Sequence, residues 1–340
     1  MKKILTTAII IAALFTSCTS EDDNRVFTPG KGVFVVNEGN YLSGNGSLSF
    51  YNLENGIIYN DLFNSKNARM LGDIPEYLAV DGSIGYIVVN NSGTIEKIDM
   101  NSMESLGTIT DLNSPRQMVI YNSKGYVSSL YSTKIIVINL STFSVEKQIE
   151  IGCTSEALAI EGNTLFAANW SGGSKVVALN LTTDAIIKSI TTGMEPESMV
   201  IDKNGKLWVL CTGGWNNEEI PRFSIINTST LEVESSIPFR TVSDNPSCLT
   251  INSGLDTLYY IDEGIRRMPV TATQIATTVL AGEGTSLFYK VAPVPFKGMF
   301  CVTDAIDYSQ TGRLLVFDKN GNLVDTEYAG IIPGFMHYME

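Results

Sequence analysis

Ile74-Pro75-Glu76-Tyr77-Leu78-Ala79-Val80 decides the fold, because it comes back along the chain. Its clear copies are Ser114-Pro115-Arg116-Gln117-Met118-Val119-Ile120, Thr154-Ser155-Glu156-Ala157-Leu158-Ala159-Ile160, Glu195-Pro196-Glu197-Ser198-Met199-Val200-Ile201 and Asn245-Pro246-Ser247-Cys248-Leu249-Thr250-Ile251. The register residue stands at 75, 115, 155, 196 and 246, and weaker copies begin near Ser286 and at Pro333. Self-similarity at about forty residues marks a repeat architecture. Each copy continues through a turn rich in Gly, Asp and Asn, a second apolar run, a loop, a third run, another turn and a fourth run. Short runs of Val, Ile, Tyr and Thr between turn residues are strands, and four in about forty residues make one propeller blade.

Seven starts predict an all-β chain, a seven-bladed β-propeller of four-stranded antiparallel blades. The chain ends seven residues after Pro333, so only one strand, residues 334–338, fits there. The N-terminal runs 32–37, 48–52 and 57–63 have no inner strand of their own. The economical arrangement shares one blade between the two ends, with the C-terminal strand pairing with residues 33–36 and closing the ring. Closure removes exposed sheet edges, which otherwise invite aggregation.

Ahead of the propeller, Lys2 and Lys3 precede an apolar run at 4–15 and then Thr16-Ser17-Cys18. That run is too short to span a membrane and has the three-part layout of a signal peptide. The expected division is 1–17 signal peptide, 18–31 acidic tether lipidated at Cys18, and 32–340 propeller. Removing the first seventeen residues takes away two lysines and leaves 21 basic against 36 acidic side chains, a net charge of −15. Such a surface repels nucleic acid and anionic headgroups, so neither is an expected partner, and a lipid is the only expected membrane anchor. Cys153, Cys211, Cys248 and Cys301 each lie in or beside a strand pattern, with no CxxC pair, and read as small buried hydrophobes. His337 is the single histidine, which argues against a histidine triad or a multi-histidine metal site. No catalytic residue, cofactor or metal is assigned, and a monomer is expected.

In a blade, the loop into the inner strand and the loop between second and third strands share one face of the disc. The other two turns share the opposite face and read as short hairpins, among them Asp81-Gly82 and Glu161-Gly162-Asn163. Length varies in the first class, through residues 38–46, 212–222 and 303–313, and insertions confined to one face mark the binding face of a repeat protein. The candidate ligand-binding residues there are Asn37, Asn40, Tyr41, Asn45, Tyr77, Asn90, Arg116, Tyr131, Asn169, Trp170, Trp215, Asn216, Asp304 and Tyr308. Amides donate and accept, and aromatics give broad rigid contact, so the set suits a large amphipathic ligand. Carboxylates at Glu38, Glu76, Glu156, Glu197, Asp262, Glu263 and Asp304 also reach this face, without a spacing that sets up acid and base roles.

The Pro-Glu-x-hydrophobic inner strand resembles that of YncE-type propellers. Val33-Phe34-Val35-Val36-Asn37-Glu38-Gly39-Asn40 behind a lipoprotein signal resembles the surface propeller lipoproteins of gut Bacteroidetes, the BtuG-like group among them. Ser20-Glu21-Asp22-Asp23 resembles the acidic signal that sends such lipoproteins to the outer face of the outer membrane. The resemblance implies a non-enzymatic surface receptor that captures cobalamin or another corrinoid and passes it to a TonB-dependent transporter. A glycan-binding lipoprotein is the alternative, followed by a protein-binding propeller or a lactonase-like enzyme.

Overall fold

The structure, a computed structural model, describes residues 27–340. The expected signal peptide and Cys18 lie outside the described residues. Seven four-stranded antiparallel sheets stand around a central channel. The first blade is the shared one: Pro333–Met339 is its inner strand, followed outward by Gly32–Asn37, Ser47–Asn52 and Ile57–Tyr59. Val33 pairs with Tyr338 and Val36 with Phe335, so the ring closes where the sequence places the closure. Blades two to seven follow in chain order, with inner strands Pro75–Asp81, Pro115–Tyr121, Leu158–Glu161, Pro196–Ile201, Ser247–Ile251 and Phe288–Pro293.

Burial explains why the second and third strands read as unbroken apolar runs. Both faces of each sheet pack on neighbouring blades, and all six residues of Gly32–Asn37 and of Ser47–Asn52 are buried. The outermost strands meet solvent and turn polar, as in Glu232–Pro238, where only Ile237 is buried. The core is therefore a circle of clusters between adjacent blades. Between blades five and six, Trp208, Phe223 and Tyr260 pack together, and each such side chain contributes about 1.5–3 kcal/mol on burial. Among the described residues four cysteines are free, and Cys153, Cys211 and Cys301 are buried.

Two details depart from the sequence reading. The third N-terminal run stops at Tyr59, and Leu62–Asn67 forms a short helix that buries Leu62 and Phe63. Asp61 in the left-handed region breaks the strand and turns the two apolar side chains into the core between blades one and two. The opposite face is also less uniform than expected, because residues 270–278 form a nine-residue connection between Ile265–Pro269 and Val279–Ala281. No helix among the described residues is long and apolar enough to cross a membrane.

A repeated irregularity shapes the channel. Pairing between inner and second strands skips a residue next to the register position: Pro75 faces Val89 and Tyr77 faces Val88, leaving Glu76 bulged. The same shift leaves out Glu197, Tyr289 and Gly334. The residue before the register proline sits at positive φ in four blades, at Ile74, Ser114, Glu195 and Ile332. A bulge re-aims the extra side chain away from the ladder, and here it aims it at the mouth of the channel.

Candidate functional site

Two rings of side chains result, one above the other. The mouth ring, one residue past the register position, runs Glu76, Arg116, Glu156, Glu197, Ser247, Tyr289 and Gly334 around the blades. Gly334 leaves a vacant position that Glu38 fills, since a Cβ there would overlap Glu38 Oε1. The Tyr289 hydroxyl donates to that same oxygen at 2.8 Å. Below it lies a second ring of Tyr77, Gln117, Ala157, Ser198, Cys248, Lys290 and Phe335. This ring stitches blade to blade: Leu158 N–H donates to Gln117 Oε1 at 2.7 Å, Leu249 N–H to Ser198 Oγ at 2.9 Å, and Val291 N–H to Cys248 Sγ at 3.3 Å.

The mouth ring is a part-buried charge network. Arg116 Nε donates to both Glu156 oxygens at 2.9 and 2.8 Å, and its other arm pairs with Glu76. Glu197 accepts the Cys248 N–H at 3.1 and 3.4 Å. Four carboxylates thus face two cations, Arg116 and Lys290. Burial pushes Glu76 up to about 8 although Arg116 pulls the other way. Burial likewise raises Glu38, partly offset by the Tyr289 hydrogen bond. Burial is the first cause in both, and the neighbouring carboxylates add to it.

Size differences in the second ring make the channel lopsided. Tyr77 and Phe335 pack with their rings tilted, 4.2 Å between centroids, and are the bulky side chains of one side. Ala157, Ser198 and Cys248 are small on the other side, and the channel holds a cavity of about 460 Å³ lined by this whole ring and by Met199, Val200, Leu249 and Met336. Above it, across blades four to seven, a second cavity of about 850 Å³ opens to the long-loop face. Trp170, Trp215, Tyr289 and Tyr308 frame it, and Tyr289 meets Tyr308 edge to face at 5.6 Å. Trp170, Glu197, Tyr289 and Lys290 line both cavities, so the two adjoin. One wall is braced by Arg240, whose guanidinium donates to Asp262 at 2.8 Å and to Asp244 at 3.2 Å.

Of the candidates named from sequence, Tyr77, Arg116, Trp170, Trp215 and Tyr308 line these cavities. Four others are structural. Asn37 is fully buried and its amide joins Ser47, Ser49 and the Gly330 N–H. Asn90 ties to Ser114 and Pro115, and Asn169 to Thr154, so both hold strand entries in place. Asp304 is fully buried, paired with Arg313, and accepts the N–H groups of Leu287 and Ile306. Asn40 and Asn45 hydrogen-bond to each other inside their own loop, and Asn216 to Glu218. Tyr41 and Tyr131 are exposed on the long-loop face but belong to blades one and three, away from the cavities. Tyr289, Lys290 and Arg240 were missed, since the seventh copy has no register proline and Arg240 lies in an inter-blade loop. Among the described residues, no group of three or more His, Cys, Asp or Glu side chains is placed to hold a metal.

A family model described as a domain of unknown function, DUF5074, matches residues 31–291. No curated protein matches the chain. Among solved structures, a quinoprotein alcohol dehydrogenase-like protein from Bacteroides thetaiotaomicron superposes with a TM-score of 0.71 at 15% identity, over 91% of this chain and 78% of that one. A functionally unknown protein from Desulfotomaculum acetoxidans gives 0.70 at 12%, over 91% and 99%. The periplasmic gluconolactonase PpgL of Pseudomonas aeruginosa gives 0.69 at 13%, also over 91% and 99%. At such identities the likeness is one of fold.

Proposed function

The chain belongs to the DUF5074 family, and we propose that it is a non-enzymatic receptor holding a large amphipathic small molecule on its long-loop face. The observation that carries this reading is the aromatic frame over blades four to seven. Trp215 is 86% exposed, an arrangement that folding alone does not favour, and it stands at the rim of a cavity of about 850 Å³ beside Trp170 and Tyr308. A cavity of that size with rigid aromatics and a few polar groups is the usual form of a small-molecule site.

The finer reading is a corrinoid, cobalamin included. A corrin is a broad ring with apolar edges and a fringe of amides, which aromatics can cover and the polar rim can pair with. The carboxylates near the channel support binding rather than turnover: Glu76 and Glu156 are held by Arg116, Glu38 by Tyr289 and Glu197 by the Cys248 amide. With the lipoprotein-like residues at 2–23, the receptor would be tethered through Cys18 at the outer face of the outer membrane and would pass its ligand to a TonB-dependent transporter.

Calorimetry with cobalamin tests this, with a panel of oligosaccharides beside it. Trp215→Ala and Tyr308→Ala should each weaken cobalamin binding about thirtyfold, the cost of an aromatic hot spot. Lys124→Ala, on the opposite face, should change nothing. Absence of heat with any corrinoid, or equal losses from both faces, would overturn the assignment. Heat with a saccharide alone would replace the corrinoid by a glycan, which exposed tryptophan faces also suit.

A further inference from the structure

The channel pocket below the main cavity has its own chemistry. It is open because Ala157, Ser198 and Cys248 are small where the neighbouring blades carry large side chains, and it connects upward past Trp170. Lys290 comes down into it from the seventh blade. Its ammonium has no carboxylate within ion-pairing distance among the described residues, and its recorded contact is the face of Tyr289, 4.8 Å from the ring centroid. A part-buried ammonium with three donors and no acceptor is an unfilled requirement. Glu197 lines the same pocket and has used its carboxylate on one backbone N–H, which leaves acceptor capacity.

We propose that this pocket is a separate subsite for a primary amide borne by the ligand, its carbonyl oxygen accepting from Lys290 and its NH₂ donating to Glu197. The charge balance selects the amide. A carboxylate or phosphate would satisfy Lys290 but would face Glu197 and Glu38, while an ammonium would satisfy the carboxylates and be repelled by Lys290. A neutral group that both donates and accepts matches the pair, and a primary amide does so with separate oxygen and nitrogen atoms where a hydroxyl has to use one atom for both. The proposal rests on the reading of this face as a ligand site only in supplying the molecule that carries the amide.

A small probe separates the two claims. In ligand-observed saturation-transfer NMR on the purified protein, propionamide at millimolar concentration should show transfer, and propionate and propylammonium should show much less. Lys290→Met keeps the aliphatic stem and should weaken propionamide about tenfold, the loss expected of a charge-assisted hydrogen bond. Ala157→Leu should abolish the transfer by filling the pocket, and Lys124→Ala, on the opposite face, should leave it unchanged. No transfer from propionamide, propionate performing as well, or Lys290→Met without effect would each overturn the subsite. If cobalamin gives no heat while propionamide behaves as described, the corrinoid reading falls and the subsite stands. If cobalamin binds and Lys290→Met changes neither ligand, the subsite falls alone.

Discussion

Glu76 shows how one residue's setting becomes a property of the whole protein. Its folded-state pKa is raised by burial to about 8, and the groups that face it are Arg116, Glu38, Glu156 and Lys290. A carboxyl that holds its proton more tightly when folded stabilises the native state fully below its ordinary value, and that contribution disappears as pH rises through the raised one. Asp99, Glu234 and Asp256 act in the other direction. Their carboxylates are held low, Asp99 by backbone N–H groups, Glu234 by Lys206 and Asp256 by Asn252, so their contribution is lost on acidification. The melting temperature should therefore peak at about pH 5 and decline between about pH 5 and 9. Glu76→Gln should flatten the alkaline decline and leave the acid limb alone, as thermal melts across that range would show. An undiminished decline in the variant would place the titration elsewhere. The same ring also shows why Gly334 is glycine: any side chain there would evict Glu38 from the position it borrows.

Among the elements, the strand Pro333–Met339 has the largest consequence for its length. It is the inner strand of the shared blade, and its partner Gly32–Asn37 is buried along all six residues. Ending the chain after Gly330 would uncover that strand's backbone and open Phe34, Val36 and Phe335 contacts on the blade-two side. The truncated protein should be insoluble or melt more than about 10 °C lower, measured by calorimetry or circular dichroism. Unchanged melting would mean that closure contributes little. This strand was legible in the sequence because Pro333 restarts the register and too little chain remains for more than one strand. The strand at 57–63 was only half legible, since the apolar residues Ile57, Ile58 and Tyr59 are followed after only Asn60 and Asp61 by Leu62 and Phe63, too short a gap to separate two elements by pattern. Left-handed Asp61 makes the break, and aspartate's tolerance of that conformation leaves too weak a mark to read in advance.

For the molecule as a whole, blade number, strand order and the face with long loops were all readable, because each follows from a repeat that must bury the same faces seven times. The site was readable in part. Trp170, Trp215 and Tyr308 signalled themselves as large aromatics in loops, where a strand core does not need them. Asn37, Asn90 and Asn169 misled, because an amide at a strand end serves the neighbouring backbone as readily as a ligand. Lys290 and Glu197 stand in consecutive blades but one, and only the curvature of the ring brings them into one pocket. Local sequence holds no trace of that approach.

The pairing of Gly32 with Met339 has a last consequence. Both strand ends lie at the face away from the long loops, side by side, so the disc is a circle without a privileged starting point. A circular permutant, its former ends joined through a short glycine-serine linker from Glu340 to Phe27 and reopened between Asn122 and Ser123, should fold to the same ring. The cut falls in a tight turn where both residues sit at positive φ, so opening it relieves strain as well. Its melting temperature and far-ultraviolet dichroism should stay close to those of the parent, whereas an unfolded product would show that the order of synthesis, and not the closed circle alone, is written into the chain.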